Sequence, residues 1–358
     1  MGRYGFKLLN IELRRGQSPK QIDFGAADGK HYLDRLHSDA LAAVAARVDA
    51  ASEDDTGTAT SPTLEDGQIE VRGDDVVDES EPDAGVAEPQ KSKAVVQIDG
   101  SVRLVEAVLL SISYGIVGDH SKGIDPQGLK RDVDLTKVAT ARQYRALVVA
   151  PEAGAQGYLA VEVISRSHAA TRLPARLFHA AQGHRFKIKP LGAVADEQAV
   201  KDLMEGAHIP EVRLWKSVPG KDSSTSNTRR VSLTFRLGKG SEEEEHIRPW
   251  LLKWLPTKAN RDAPDRPTSA EEASRIAAYL WSPTKDLDFE TAEATIENAN
   301  RSRRLKPLDI EEGFTYDLGD NPLDDDQFIS EVSDVVRRIA DANQVNLEDD
   351  WDTSLVTD

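Results

Sequence analysis

The side chains best placed to do chemistry in this chain are cations. Between Ser165 and Leu191 stand Arg166, Arg172, Arg176, Arg185, Lys187 and Lys189, with His168, His179 and His184 and no acid. A second cluster holds Arg213, Lys216, Lys221, Arg229, Arg230, Arg236 and Lys239, opposed only by Asp222. A third is the run RSRRLK, with Arg301, Arg303, Arg304 and Lys306. Groups of this kind neutralise phosphates, and alternate residues of a strand share a face. Arg185, Lys187 and Lys189 would then form one cationic stripe while Phe186 and Ile188 face the core. An apolar-in, basic-out strand is what a sheet laid against a phosphate backbone needs.

Other chemistries leave no comparable trace. There is no G-x-x-x-x-G-K-[ST] and no G-x-G-x-x-G after a strand, and GKGS at Gly238–Ser241 reads as a turn. No G-x-S-x-G marks a serine nucleophile. The three histidines of the first cluster have irregular spacing among cations that would oppose a metal ion. Glu162 and Glu211 fall in candidate strands but lack the neighbouring Asp and trailing Lys of a nuclease site, so each reads as a solvent-facing strand position. Asp324, Asp325 and Asp326 read as the start of a helix whose dipole they complement. With no cysteine there is no disulfide, thiol nucleophile or zinc knuckle. The expectation is a protein with no catalytic residue, no metal ligand and no cofactor.

The formal net charge of −17 over 358 residues conceals a basic body. Residues 50–90 hold 13 acids against Arg72 alone, and residues 309–358 hold 16 against Arg337 and Arg338. Those segments contribute −12 and −14, which leaves +9 for everything else. Segregated acids can fold back onto a cationic groove as phosphate mimics, so the acidic segments are candidate intramolecular partners.

The elements that must position the cations can be read from periodicity. Tyr4–Arg14 reads as a strand, and Tyr32, Leu33, Leu36, Leu41, Val44 and Val48 recur near helical spacing. Strands are expected at Ala94–Ile98, Val108–Ile116, Tyr144–Ala150, Tyr158–Ser165, Arg185–Leu191, Glu211–Val218 and Arg230–Leu237. Val200, Leu203 and Met204 mark a short helix, and further helices are expected at 242–255, at 269–281 with Ser269 as N-cap and Glu272 at N3, and around Phe328–Ile339.

The fold class is therefore α+β, a largely antiparallel β-rich body with a helical C-terminal third and a disordered acidic insertion. By residue number the organisation is 1–49, an N-terminal strand and helix on the body; 50–93, the insertion; 94–240, the DNA-binding body; 241–345, a helical second domain; and 346–358, an acidic tail. No apolar run reaches the roughly 18 residues of a membrane span. The opening MGRYGFKLLNIELRRG lacks a signal peptide's apolar core, so a cytoplasmic location is expected. Trp215, Trp250, Trp254 and Trp281 sit at apolar-face positions and read as core, which favours duplex over single-strand binding.

Residues 157–219 resemble the RexA family of phage-exclusion proteins, through GYLAVEVISRS, TRLPARLF, HRFKIKPL and EGAHIPEVRLWKSVP in that order. The resemblance implies a cytoplasmic, homodimeric, sequence-nonspecific DNA-binding protein of a temperate phage or prophage. It would be the sensor of an exclusion system whose effector is a separate membrane protein of the RexB type. The strand Arg185–Lys189 matches the family's corresponding strand in pattern and so in its place in the fold. From charge, the phosphate-contacting residues are expected among Arg166, Arg172, Arg176, Arg185, Lys187, Lys189, Arg213, Lys216, Arg229, Arg230, Arg301, Arg303 and Arg304. The rival readings are a metal-dependent defence nuclease and a non-catalytic protein-interaction scaffold.

Overall fold

The computed structural model describes residues 3–16, 18–54, 94–117, 122–123, 133–134, 139–165, 167–177, 179–181, 184–219, 228–253, 267–280, 288–298, 301–306 and 314–353. Residues 55–93 of the expected acidic insertion lie outside them. The early strands are β1 (Tyr4–Arg15), β2 (Gln21–Ile22), β3 (Ala94–Arg103), β4 (Ala107–Val117), β5 (Lys122–Gly123), β6 (Val133–Asp134), β7 (Ala139–Val149) and β8 (Gln156–Ile164). The later ones are β9 (Ser167–His168), β10 (His179–Ala181), β11 (His184–Ala193), β12 (His208–Pro219), β13 (Thr228–Arg236), β14 (Thr291–Asn298), β15 (Arg301–Leu305) and β16 (Tyr316–Gly319). Helices are α1 (Tyr32–Asp54), α2 (Leu173–Arg176), α3 (Glu197–Met204), α4 (Glu242–Lys253), α5 (Ser269–Leu280) and α6 (Asp325–Asn343).

The fold is α+β with a large antiparallel sheet. That sheet runs β10–β11–β1–β8–β7–β4–β3, with β2 and β16 also paired to β1 and β9 to β8. A second sheet runs β13–β12–β14–β15, and β5 pairs with β6. Two compact units emerge: Met1–Glu12, Gln156–Ala160 and Lys189–Leu347 form the first, and Leu13–Ala155, Val161–Ile188 and Glu348–Asp358 the second. None of the described helices is long and apolar enough to cross a membrane.

In the second unit β4 pairs with β3 and β7, and the run Val108–Leu110 and Ala146–Val149 is buried. Helix α1 packs against β3 and β4, and its Tyr32, Leu33, Leu36 and Ala40 are buried. Leu41 and Val48, expected on that apolar face, are exposed instead. The buried stripe ends at Ala40, because the later turns of α1 carry mostly alanine and charge.

In the first unit α6 buries the stripe foreseen from its periodicity, Phe328, Val332, Val335, Val336 and Ile339. Phe328 meets Phe6 edge-on at 6.3 Å, and Phe6 stacks on Tyr316 at 4.7 Å. Asp324 caps α6 in a reciprocal box with Gln327, which orders its first turn. The box at α5 is one residue earlier than expected: Thr268 Oγ1 accepts from Glu271 N, and Glu271 Oε2 accepts from Thr268 N at 2.7 Å. Glu272, expected in that role, is buried. The last third also contains β14, β15 and β16 among its helices.

Candidate nucleic-acid interface

The second sheet assembles two of the three basic clusters. β12 and β13 form a hairpin in continuous register from Glu211↔Arg236 to Pro219↔Thr228. β14 and β15 form another, and β12 pairs antiparallel with β14 from Val212↔Ala294 to Trp215↔Thr291. Of the thirteen expected contact residues this sheet carries Arg213 and Lys216 on β12, Arg229 and Arg230 on β13, and Arg301, Arg303 and Arg304 on β15. Residues some ninety positions apart thus share one ladder. The sequence gives no sign of this, because only the β12–β14 pairing joins them.

One face of the sheet is apolar and covered. Val212, Leu214, Ala292, Ala294 and Ile296 are buried, as are Ala273, Ile276 and Ala277 of α5 and Ile247 of α4, and α4 contacts β12 while α5 contacts β14. The hairpin is anchored at its base by Glu244 of α4, whose side chain is 3% exposed. Its Oε1 accepts from Ile209 N at 2.8 Å and from Arg248 Nη2 at 3.1 Å, and its Oε2 accepts from Gly240 N at 2.7 Å. His208 Nδ1 stands 3.1 Å from the same carboxylate. Burial alone would raise this carboxyl's pKa, but the Gly240 and Ile209 N–H groups and His208 together hold it below its ordinary value. The GKGS segment is the turn that this carboxylate ties down, with Gly240 at φ +69°.

Towards its tip the hairpin leaves that cover. Val231 lies on the strand face of Leu233 and Phe235, yet it is 53% exposed, and its neighbour Ser232 on the opposite face is exposed too. Both faces of the ribbon are therefore open there. Lys216 stands opposite Val231, Arg230 opposite Ser217 and Arg229 opposite Val218. Lys216 is partly exposed and makes no ion pair among the described residues, whereas Arg213 Nη2 is held by Glu211 Oε1 at 2.9 Å.

Trp215 corrects an expectation. With Val212 and Leu214 buried, strand alternation puts Trp215 on the opposite face with Arg213 and Ser217, where the residue is partly buried and its Nε1 fully so. It is not core. The phase of VRLWKS was the available signal. Among the other tryptophans expected in the core, the side chain of Trp250, Trp254 and Trp281 lie outside the described residues.

The remaining expected contacts are spread differently. Arg166 lies outside the described residues; Arg172 flanks α2 and Arg176 falls within it. β11 follows the expected register: Phe186 and Ile188 are buried while Lys187 and Lys189 are partly exposed, and Arg185 occupies the same alternation. Lys189 Nζ is 3.8 Å from the buried Glu12 carboxylate, so part of its charge is committed.

Both candidate carboxylates have structural partners. Glu162, expected to face solvent, is 3% exposed, and it accepts from Arg145 Nη2 at 2.6 Å and Arg145 N at 2.9 Å. The guanidinium and amide lie across the sheet from it, a pairing invisible in the sequence. Glu211 holds Arg213, as above. Among the described residues no group of three His, Asp or Glu side chains could hold a metal ion.

The C-terminal acidic segment docks within its own unit by main chain. Glu106 carboxylate accepts from Glu152 N at 2.5 Å and Glu348 N at 2.8 Å, Glu106 N donates to Trp351 O, and Val105 N donates to Thr353 O. Trp351 is 1% exposed. Residues 348–353 are thus bound to the turn between β3 and β4. No family model, curated protein or solved structure matches the chain.

Proposed function

We propose that this protein binds duplex DNA without sequence preference and without catalysing a reaction, using the β12–β13 ribbon and the basic positions of its sheet. The observation that carries the reading is the exposure of Val231 and Ser232 on opposite faces of β13, at the strand positions next to Lys216, Arg229 and Arg230. A two-stranded ribbon fits the major groove of B-DNA, which is about 12 Å wide. Lysine and arginine contacts to phosphate hold a duplex but carry no sequence information.

The resemblance to RexA proteins extends this reading. It implies a cytoplasmic homodimer that senses DNA in a phage-exclusion system and signals to a membrane effector. Support for that extension is the sequence pattern of residues 157–219 alone.

The test is anisotropy of a labelled duplex titrated with the full chain and with a K216E/R229E/R230E variant. Six to eight phosphate contacts give a log–log salt slope on the order of −5 to −7. The variant should lose binding while its circular dichroism is unchanged. Equal affinity in wild type and variant would remove the ribbon from the interface.

A further inference from the structure

The outermost strands of a β-sheet present backbone N–H and C=O groups along one side, and proteins blunt such edges with short strands, bulges, proline or charge. The edges of this protein are not blunted alike. In the large sheet β10 has three residues, and the register of β3 with β4 shifts at Asp99. In the second sheet the outer strands are β15, five residues with three arginines, and β13. β13 has nine residues, keeps an unbroken register with β12 from Thr228 to Arg236, and contains neither proline nor glycine. Its middle five residues, Val231–Phe235, carry no charge.

The outer side of β13 pairs with no described strand. Val231 is the one large apolar side chain that this sheet leaves exposed among the described residues, and Ser232, Thr234 and Arg236 are exposed too. What suits this edge can be read from its own sequence. Antiparallel pairing of β13 with its own copy, about a two-fold axis normal to the sheet, keeps opposed residues on the same face. Centred on Ser232, the midpoint of Thr228–Arg236, the register pairs the strand along its whole length. Val231 then stands opposite Leu233 of the partner subunit, and the symmetry repeats that apolar pair on the other side of Ser232. Cross-strand pairs of this kind are the unit by which sheets are stabilised.

We propose that β13 pairs edge to edge with β13 of a second copy of this chain, joining two four-stranded sheets into one of eight strands. The pairing follows from the strand itself and stands without the DNA reading. Its consequence is competition, and that part rests on the DNA reading. Two joined ribbons set four strands side by side, roughly 14 Å between the outer axes, which is too broad for a major groove about 12 Å wide. Self-association therefore belongs to the DNA-free protein, and a bound duplex separates the copies.

The chain has no cysteine, so a single introduced one reports only on its own copy. In the full chain, S232C should form a disulfide-linked dimer under mild oxidation. Directly opposed residues of antiparallel strands stand about 4.5–5.5 Å apart between Cα atoms, within reach of that bond. T234C should not cross-link, because in the same register its two copies lie about 14 Å apart along the strands. Sedimentation velocity of the wild type should show a dimer that dissociates on dilution. S232D, which sets two carboxylates face to face, should weaken that dimer about five-fold or more. A 20-base-pair duplex should lower the S232C cross-link.

A wild type that stays monomeric at its highest soluble concentration would overturn the pairing. So would a T234C that cross-links as readily as S232C, or a dimer that S232D leaves unchanged. The two readings fail separately. Wild type that ignores duplex at low salt sinks the ribbon reading and leaves the S232C cross-link standing. A cross-link undiminished by bound duplex overturns the competition.

Discussion

Arg145 and Lys216 both lie on long antiparallel strands, and the sequence around each looks equally basic. Their fates differ. Arg145 is clamped by a buried glutamate through its guanidinium and its own amide, so its charge is consumed by the fold. Lys216 stands on a ribbon that has outrun its helical cover, opposite an exposed valine and without an ion-pair partner among the described residues. Counting cations cannot separate the two. What separates them is whether a carboxylate is brought across the sheet, and that is decided by register.

The sharpest way to break this comparison is to reverse the ribbon's charges. K216E/R229E/R230E should cut duplex affinity by about a hundred-fold or more at about 50 mM salt, and flatten the salt dependence. Denaturation midpoints should barely move, as expected for substitutions beside the exposed Val231 and Ser232. A variant that loses stability and keeps binding would invert the assignment.

The opposite pattern is expected at Arg145. Glu162→Ala strands a buried guanidinium and should destabilise the protein by about 3 kcal/mol or more in urea titrations. DNA affinity, measured where the variant is still folded, should be unchanged. A loss of affinity without loss of stability would place Arg145 in the interface.

Glu244 sharpens the comparison through pH. Its carboxyl is held below the ordinary value of 4.5, so the unfolded chain binds its proton first as pH falls. The stability it contributes is fully present above pH 4.5 and is lost as pH drops through the folded pKa. Glu244→Gln should therefore flatten the acid limb of a stability–pH curve. An unchanged limb would mean that the hairpin base does not depend on this charge.

The smallest effect is expected at a cap. Thr268→Ala removes the oxygen that accepts from Glu271 N and should cost about 1 kcal/mol, read by thermal melts. Ser269→Ala, at the neighbouring position first expected to cap α5, should cost less.

Much of the architecture was legible because alternation and helical spacing report burial directly. Each strand expected from Ala94 to Leu237 has its counterpart, and Phe328 to Ile339 lie on one buried face. β14 and β15 were not foreseen. TAEATIEN is rich in residues of weak strand preference, and RSRRL reads as charge, so their extended form comes from pairing with β12 and with each other. The cations were legible as three basic clusters, but the pairing of β12 with β14 that puts two of those clusters in one sheet was not. The phase of β12 puts Trp215 on the face opposite Val212 and Leu214, where it is partly buried.

The C-terminal segment changes how acidic competition can be examined. Trp351 and the Glu348 amide belong to the packing around Glu106, so deleting residues 346–358 would damage a folded unit. Any test of the acidic insertion should keep that end intact.

The central claim is that cations on an open ribbon hold duplex DNA. The most direct measurement is the affinity of the full chain for a labelled 20-base-pair duplex across about 50–200 mM salt, beside K216E/R229E/R230E. A linear log–log fall with a slope near −5 to −7 is expected for wild type, with little binding by the variant at any salt. Absence of wild-type binding at the lowest salt, or identical curves for the two proteins, would contradict it.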